Sequence, residues 1–202
     1  MSTRLVIFLH GVGARGESLV GLTKAWASAL PDTAWAAPDA PLPFDNGSHG
    51  RQWFSVCGVT EADRPGRVAA ARAGVDQVIA EALARHGFGD RLDRVALVGF
   101  SQGSIMALDA IVSGRWPVGA VVAFSGRLAS PQPFKPLATP VLLAHGTADP
   151  VMPFTETEAV EAALRVLGST VEQHVDQGAG HLITAAGAKA AAGFLARHLP
   201  PA

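Results

Sequence analysis

The chain has 202 residues, enough for one domain with a substantial buried core. Hydrophobic residues make up 49% of it and charged residues 16%, which excludes an intrinsically disordered segment. Sixteen basic side chains against seventeen acidic ones leave a net charge of −1, so nothing electrostatic favours a nucleic-acid binder or a polybasic membrane-surface protein. Cys57, the lone cysteine, cannot close an internal disulfide and belongs to no metal-ligand cluster. The first apolar run, residues 5–9, is shorter than the roughly 7–15 residues of a signal-peptide core. No apolar run approaches the roughly 18 residues of a membrane span. The expectation is a soluble, cytoplasmic protein forming one domain over residues 1–202.

In chain order, residues 5–9 read as a strand, followed by the glycine-rich turn His10-Gly11-Val12-Gly13. Residues 18–30 are predicted helical, and residues 33–37 form a weaker strand candidate. Residues 38–64 are irregular and rich in proline and glycine. Residues 65–86 then carry Val68, Ala71, Arg72, Val75, Val78, Ile79, Ala82 and Leu83 at helical spacing, which predicts an amphipathic helix. Strands are predicted at 95–98, 118–124, 141–144 and, more weakly, 170–175. Helices are predicted at 102–113, 154–167 and 182–198, and residues 125–140 form a second irregular stretch. The main apolar runs are continuous, not alternating, as in strands covered on both faces. Strand alternating with helix predicts an α/β fold with a mostly parallel sheet. In such sheets ligands bind beyond the carboxyl ends of the strands, so the two long loops are candidate pocket walls.

Gly99-Phe100-Ser101-Gln102-Gly103 fits G-x-S-x-G between a buried strand and an apolar helix. This is the setting of a nucleophile elbow, a turn so tight that glycines replace side chains that would clash and the serine projects above the sheet. A serine hydroxyl needs a base to accept its proton and a third group to orient that base. The elbow's chain order places an acid and then a histidine downstream. Asp149 follows the strand at 141–144, and His181 follows the strand at 170–175. Both fall at strand ends, on the side where Ser101 emerges.

Competing readings exist for several of these residues. Asp176 lies in the same loop as His181 and is the alternative acid. Asp109 is expected on the outer face of its helix. His174, inside a strand, reads as core or solvated, and His86 and His198 suit helix C-termini. His49 sits in a glycine-rich loop. Acyl transfer also needs donors for a developing oxyanion. The Gln102 N–H opens the helix after the nucleophile, and the turn at 10–13 can present the Val12 N–H. That turn also contains G-x-G-x-x-G at Gly11, Gly13 and Gly16, a dinucleotide-binding pattern. The acidic residue such a site requires is out of place, because Asp32 precedes the next strand instead of ending it.

These motifs, with His145-Gly146-Thr147-Ala148-Asp149-Pro150-Val151-Met152-Pro153, Gly178-Ala179-Gly180-His181, Ala37-Pro38-Asp39-Ala40-Pro41 and Gly50-Arg51-Gln52-Trp53-Phe54, resemble the phospholipase/carboxylesterase family of α/β-hydrolases. That family includes bacterial carboxylesterases and acyl-protein thioesterases. The resemblance runs over nearly the whole chain. It implies an α/β-hydrolase fold, and because six strand candidates and their helices consume most of the 202 residues, a minimal form without a cap domain is expected. It further implies Ser101 as nucleophile, Asp149 as acid, His181 as base, and Val12 with Gln102 as oxyanion donors. One departure is visible: the family commonly places an Asp after His-Gly-x-Gly, where this chain has Ala14-Arg15. The expected activity is hydrolysis of carboxylic esters or thioesters of short to medium acyl chains, with lysophospholipase or acyl-protein thioesterase activity as the alternative and a non-catalytic binding protein as a remote one. Trp53, Phe54, Phe134 and Met152 are candidates for an acyl pocket. No metal or organic cofactor is implied, the partner is a small ester or thioester, stable membrane insertion is not expected, and a homodimer is left open.

Overall fold

The computed structural model describes residues 2–200. Its centre is a six-stranded parallel sheet built from β1 (Arg4–Leu9), β2 (Thr33–Ala36), β5 (Val95–Phe100), β6 (Ala120–Phe124), β7 (Val141–Gly146) and β8 (Val171–Asp176), in the order β2-β1-β5-β6-β7-β8. The continuous apolar runs become strands because helices cover both faces. Leu5, Ile7 and Leu9 pack on one side with α2 (Arg64–His86), α3 (Gln102–Val112) and α4 (Thr155–Val166). Val6 and Phe8 pack on the other with α1 (Gly21–Trp26) and α5 (Ala185–His198). Fold class and architecture therefore match the reading from sequence.

Local differences have local causes. The helix predicted over 18–30 is reduced to a 3₁₀ turn at Gly16–Leu19 and the short α1. The helix predicted from 182 begins at Ala185, because Thr184 caps it: its hydroxyl accepts from the Gly187 N–H at 2.8 Å. Inside the irregular stretch 38–64, β3 (Leu42–Pro43) and β4 (Arg51–Gln52) form a small antiparallel hairpin. Among the described residues, no helix is long and apolar enough to cross a membrane.

Asp109 corrects an expectation. It is completely buried within α3, and it accepts from Arg72 on α2 at 3.1 and 2.8 Å and from Arg115 at 2.8 Å. Burial pushes the Asp109 carboxyl up, but the hydrogen bonds from Arg72 and Arg115 outweigh it and hold the group below the usual carboxylate range. The position is not an outer face, because α2 lies over it.

Candidate active site

Ser101 stands between the end of β5 and the start of α3 with φ 53° and ψ −116°, a strained backbone for a residue with a side chain. The turn is held by its neighbours: the Ser101 N–H donates to Phe124 O at 2.9 Å, and the Ile105 N–H donates to Ser101 O at 3.2 Å. A Cβ at Gly103 would overlap the Leu9 carbonyl, and one at Gly99 would overlap the backbone of Gly103 and Ser104. The two glycines are therefore what lets α3 start so close to β1 and β5.

Asp149 and His181 reach Ser101 from the ends of β7 and β8. Their loops are stitched together: the Ala148 N–H donates to Ala179 O at 2.9 Å, and the Gly178 N–H to the Thr147 hydroxyl at 2.8 Å. Gly146 has no room for a side chain against the Ala179 carbonyl. A continuous relay results. His181 Nδ1 lies 2.7 Å from Asp149 Oδ2, and His181 Nε2 lies 2.9 Å from Ser101 Oγ. A carboxylate can only accept, so Nδ1 carries the proton and Nε2 is free to accept from the serine hydroxyl. The imidazole also packs on Phe100, with ring centroids 5.0 Å apart.

Asp149 is held as an anion. Burial pushes its carboxyl up, but the Met152 N–H, the His181 ring and the Val151 N–H donate to it, and together they keep it below the usual carboxylate range. Beside it, His145 is buried and fully committed. Its Nε2–H donates to Met152 O at 2.8 Å, and its Nδ1 accepts from the Thr157 hydroxyl at 2.6 Å. On the far side of Ser101, His10 is buried with Nε2 accepting from the Ala40 N–H at 2.9 Å and Nδ1–H donating to Gly11 O at 2.8 Å. Burial pushes the His10 pKa down, so His10 stays a neutral support.

The competing acid is engaged elsewhere. Asp176 accepts from the Thr184 hydroxyl at 2.8 Å and lies 3.0 Å from His174 Nε2. It thereby anchors the start of α5 and explains His174 as a half-buried pair partner. His198 likewise pairs with Glu172.

An open cleft of about 500 Å³ lies over Ser101 and His181, lined among others by Val12, Leu19, Phe100, Val151, Leu182 and Ile183. No charged side chain other than the His181 imidazole, when protonated, faces it among the described residues. Val151 and Leu182 form its exposed lip, 59% and 52% accessible. Trp53, Phe54, Phe134 and Met152 do not line it, and neither do the loops 38–64 and 125–140 expected as its walls. The reason is the sidedness of the sheet. Those four side chains pack on the α2–α3–α4 face, whereas Leu19, Phe100 and Ile183 belong to the α1–α5 face over which the cleft opens. Met152 instead offers its N–H to Asp149 and its sulfur to Arg127 Nε. The lip residues adjoin Asp149 and His181 in sequence, a signal that chain adjacency could have supplied. Val12 lines the cleft, and Gln102 is the first residue of α3. Among the described residues, no group of three or more His, Cys, Asp or Glu is arranged to hold a metal ion.

The family model for phospholipase/carboxylesterase matches residues 1–199. The chain belongs to the phospholipase/carboxylesterase family. Esterase YpfH of Escherichia coli (strain K12) is 33% identical over 89% of this chain and 76% of its own length. Carboxylesterase SOBER1 of Arabidopsis thaliana is 28% identical over 91% of this chain and 86% of its own. Among solved structures, that of esterase PE8 superimposes with a TM-score of 0.88 at 33% identity, covering 98% of this chain and 94% of the other. In this member of the family, the serine of the elbow, the acid and the histidine all fall within one hydrogen-bonded relay.

Proposed function

We propose that this chain hydrolyses carboxylic esters, and thioesters by the same course, through an acyl-enzyme on Ser101. The observation that carries the reading is the unbroken Asp149–His181–Ser101 relay at the base of an open apolar cleft. His181 Nε2 accepts the Ser101 proton as Oγ attacks the carbonyl carbon, and Asp149 stabilises the imidazolium that forms. The oxyanion receives the N–H groups of Val12 and Gln102. Among the described residues neither N–H is engaged with a protein acceptor, and the second stands at the positive end of α3. His181 then returns its proton to the leaving alcohol or thiol. Water, deprotonated by the same nitrogen, attacks the acyl carbon and restores Ser101. The uncharged cleft favours an apolar substituent on the substrate carbonyl.

A fluorophosphonate probe tests the reading. The expected outcome is one adduct, on Ser101, absent from Ser101→Ala, with turnover of p-nitrophenyl butyrate in that variant down by on the order of 10³-fold or more. A folded protein that forms no adduct and turns over no ester would support a non-catalytic binding role on the same fold.

A further inference from the structure

The turn at residues 10–14 is glycine-rich and has little internal structure, its own bonds being Ala14 N–H to Gly11 O at 3.2 Å and His10 Nδ1–H to Gly11 O at 2.8 Å. It nevertheless lies tightly against the elbow: a Cβ on Gly11 would sit 3.1 Å from the Phe100 ring and 3.5 Å from Ser101 Cβ. Besides the Ala40 N–H on His10 Nε2, the restraint comes from one short segment, residues 51–54. The Gly13 N–H donates to Arg51 O, and the Arg51 N–H donates to Ala14 O, both at 2.8 Å. The Trp53 indole N–H donates to His10 O at 2.8 Å. Gly50, with φ 92°, makes the approach possible, since any side chain there would overlap the Gly13 carbonyl. The Arg51 guanidinium anchors the segment from behind on Ala40 O at 2.8 Å and Pro41 O at 2.6 Å.

The other end of the same segment is gripped by Gln102. Its Oε1 accepts from the Trp53 N–H at 2.9 Å, and its Nε2 donates to Phe54 O at 2.7 Å. The first turn of a helix asks for no such side-chain pairing with a distant loop, yet Gln102 is buried and spends both polar atoms on it. The turn that carries the Val12 N–H and the residue that carries the Gln102 N–H, far apart in sequence, are thus tied to one segment.

We propose that segment 51–54 is a bridge that sets the spacing between the Val12 and Gln102 N–H groups, with the Gln102 side chain and the Trp53 indole as its positioning groups. The inference rests on the oxyanion roles proposed above for those two amides. Donors in such a hole act only if held where the charge develops, and a shift of about 1 Å can cost on the order of 10²-fold in rate.

The test uses Gln102→Met, which keeps the backbone N–H and the side-chain length, and Trp53→Phe, which keeps a ring and removes the indole donor. Amide hydrogen exchange at residues 11–13 is expected to rise about tenfold or more in each, with exchange in the second half of α3 unchanged. On p-nitrophenyl butyrate, kcat is expected to fall about tenfold or more, with KM within about twofold, as for loss of an interaction made in the transition state. The double variant is expected to be no slower than the slower single one, because both changes cut one bridge. If one variant fails to fold, the other carries the same measurements. Unchanged exchange at 11–13 would overturn the proposal, and so would a loss of rate that merely tracks the fraction unfolded. Absence of a fluorophosphonate adduct on Ser101 in the wild-type protein would instead overturn the ester-hydrolase reading, while the exchange data would still decide whether the bridge holds the turn.

Discussion

Asp149 and Asp176 both stand where strands of one sheet end, and their hydrogen bonds separate their work. Asp149 is buried, takes two backbone N–H groups on one oxygen and His181 on the other, and so cannot rotate away. Asp176 is spent on His174 and the cap residue Thr184. Asp149→Asn would place an amide against His181 Nδ1 and favour the wrong tautomer, so kcat is expected to fall on the order of 10²–10⁴-fold. Asp176→Asn is expected to change kcat by less than about threefold, because it loosens the α5 cap without touching the relay. Steady-state kinetics of the two folded variants would decide, and a crippled Asp176→Asn beside a nearly silent Asp149→Asn would reverse the assignment. The relay residues were legible in the sequence because each needs a definite chemistry at a definite strand end. Trp53 and Met152 were not. An aromatic or thioether near a site in sequence does not reveal which face of the sheet its side chain joins, and here both turn away from the cleft.

Among the elements, α3 does the most to position the site, since it carries Ser101 at its N-terminal side and every one of its residues is buried. An entirely buried helix with a carboxylate in its middle needs a partner charge. Asp109 finds two, Arg72 with its side chain 27% accessible and Arg115 at 20%, and Arg115 continues to Asp76. The sequence held a clue in Arg72, which occupies an apolar position in the repeat of α2, but no local pattern says which carboxylate it meets across 37 residues. Asp109→Ala would leave both guanidinium groups partly buried without that partner, a loss of about 3 kcal/mol by analogy with broken buried pairs. For a chain of this size that corresponds to a fall of roughly 6–12 °C in Tm. The refolded or still-folded fraction is expected to keep its kcat, since α3 remains docked on β5 and β6. Calorimetry with active-site titration would check both parts, and a Tm within about 2 °C of wild type would show that the cluster contributes little. Strand positions were read more accurately than helix starts, because continuous burial marks a strand while a helix start depends on a cap such as Thr184, whose partner lies in another loop.

For the whole molecule, the decisive feature is what stands above the carboxyl ends of the strands. Among the described residues no folded insertion covers Ser101, and the cleft is bounded by the turn at 10–14, the 3₁₀ turn ending at Leu19, and the lips Val151 and Leu182. The two long loops contribute to the opposite face, so the expectation of an uncapped cleft stands on different walls from those read in the sequence. Each methylene that gains cover adds at most about 0.8 kcal/mol, roughly fourfold in kcat/KM, and one that projects past the lip adds nothing. With more than half of each lip residue exposed, cover ends early. Across p-nitrophenyl esters from acetate to palmitate, kcat/KM is therefore expected to climb over the first few carbons and then to level or fall. Leu182→Ala should flatten that climb, lowering the butyrate-to-acetate ratio several-fold while acetate turnover stays within about twofold, because a shortened lip uncovers the outer carbons first. A kcat/KM that rises steadily through the long chains, unaffected by Leu182→Ala, would place the acyl group in some other channel and favour a lipid or acyl-protein substrate over a small ester.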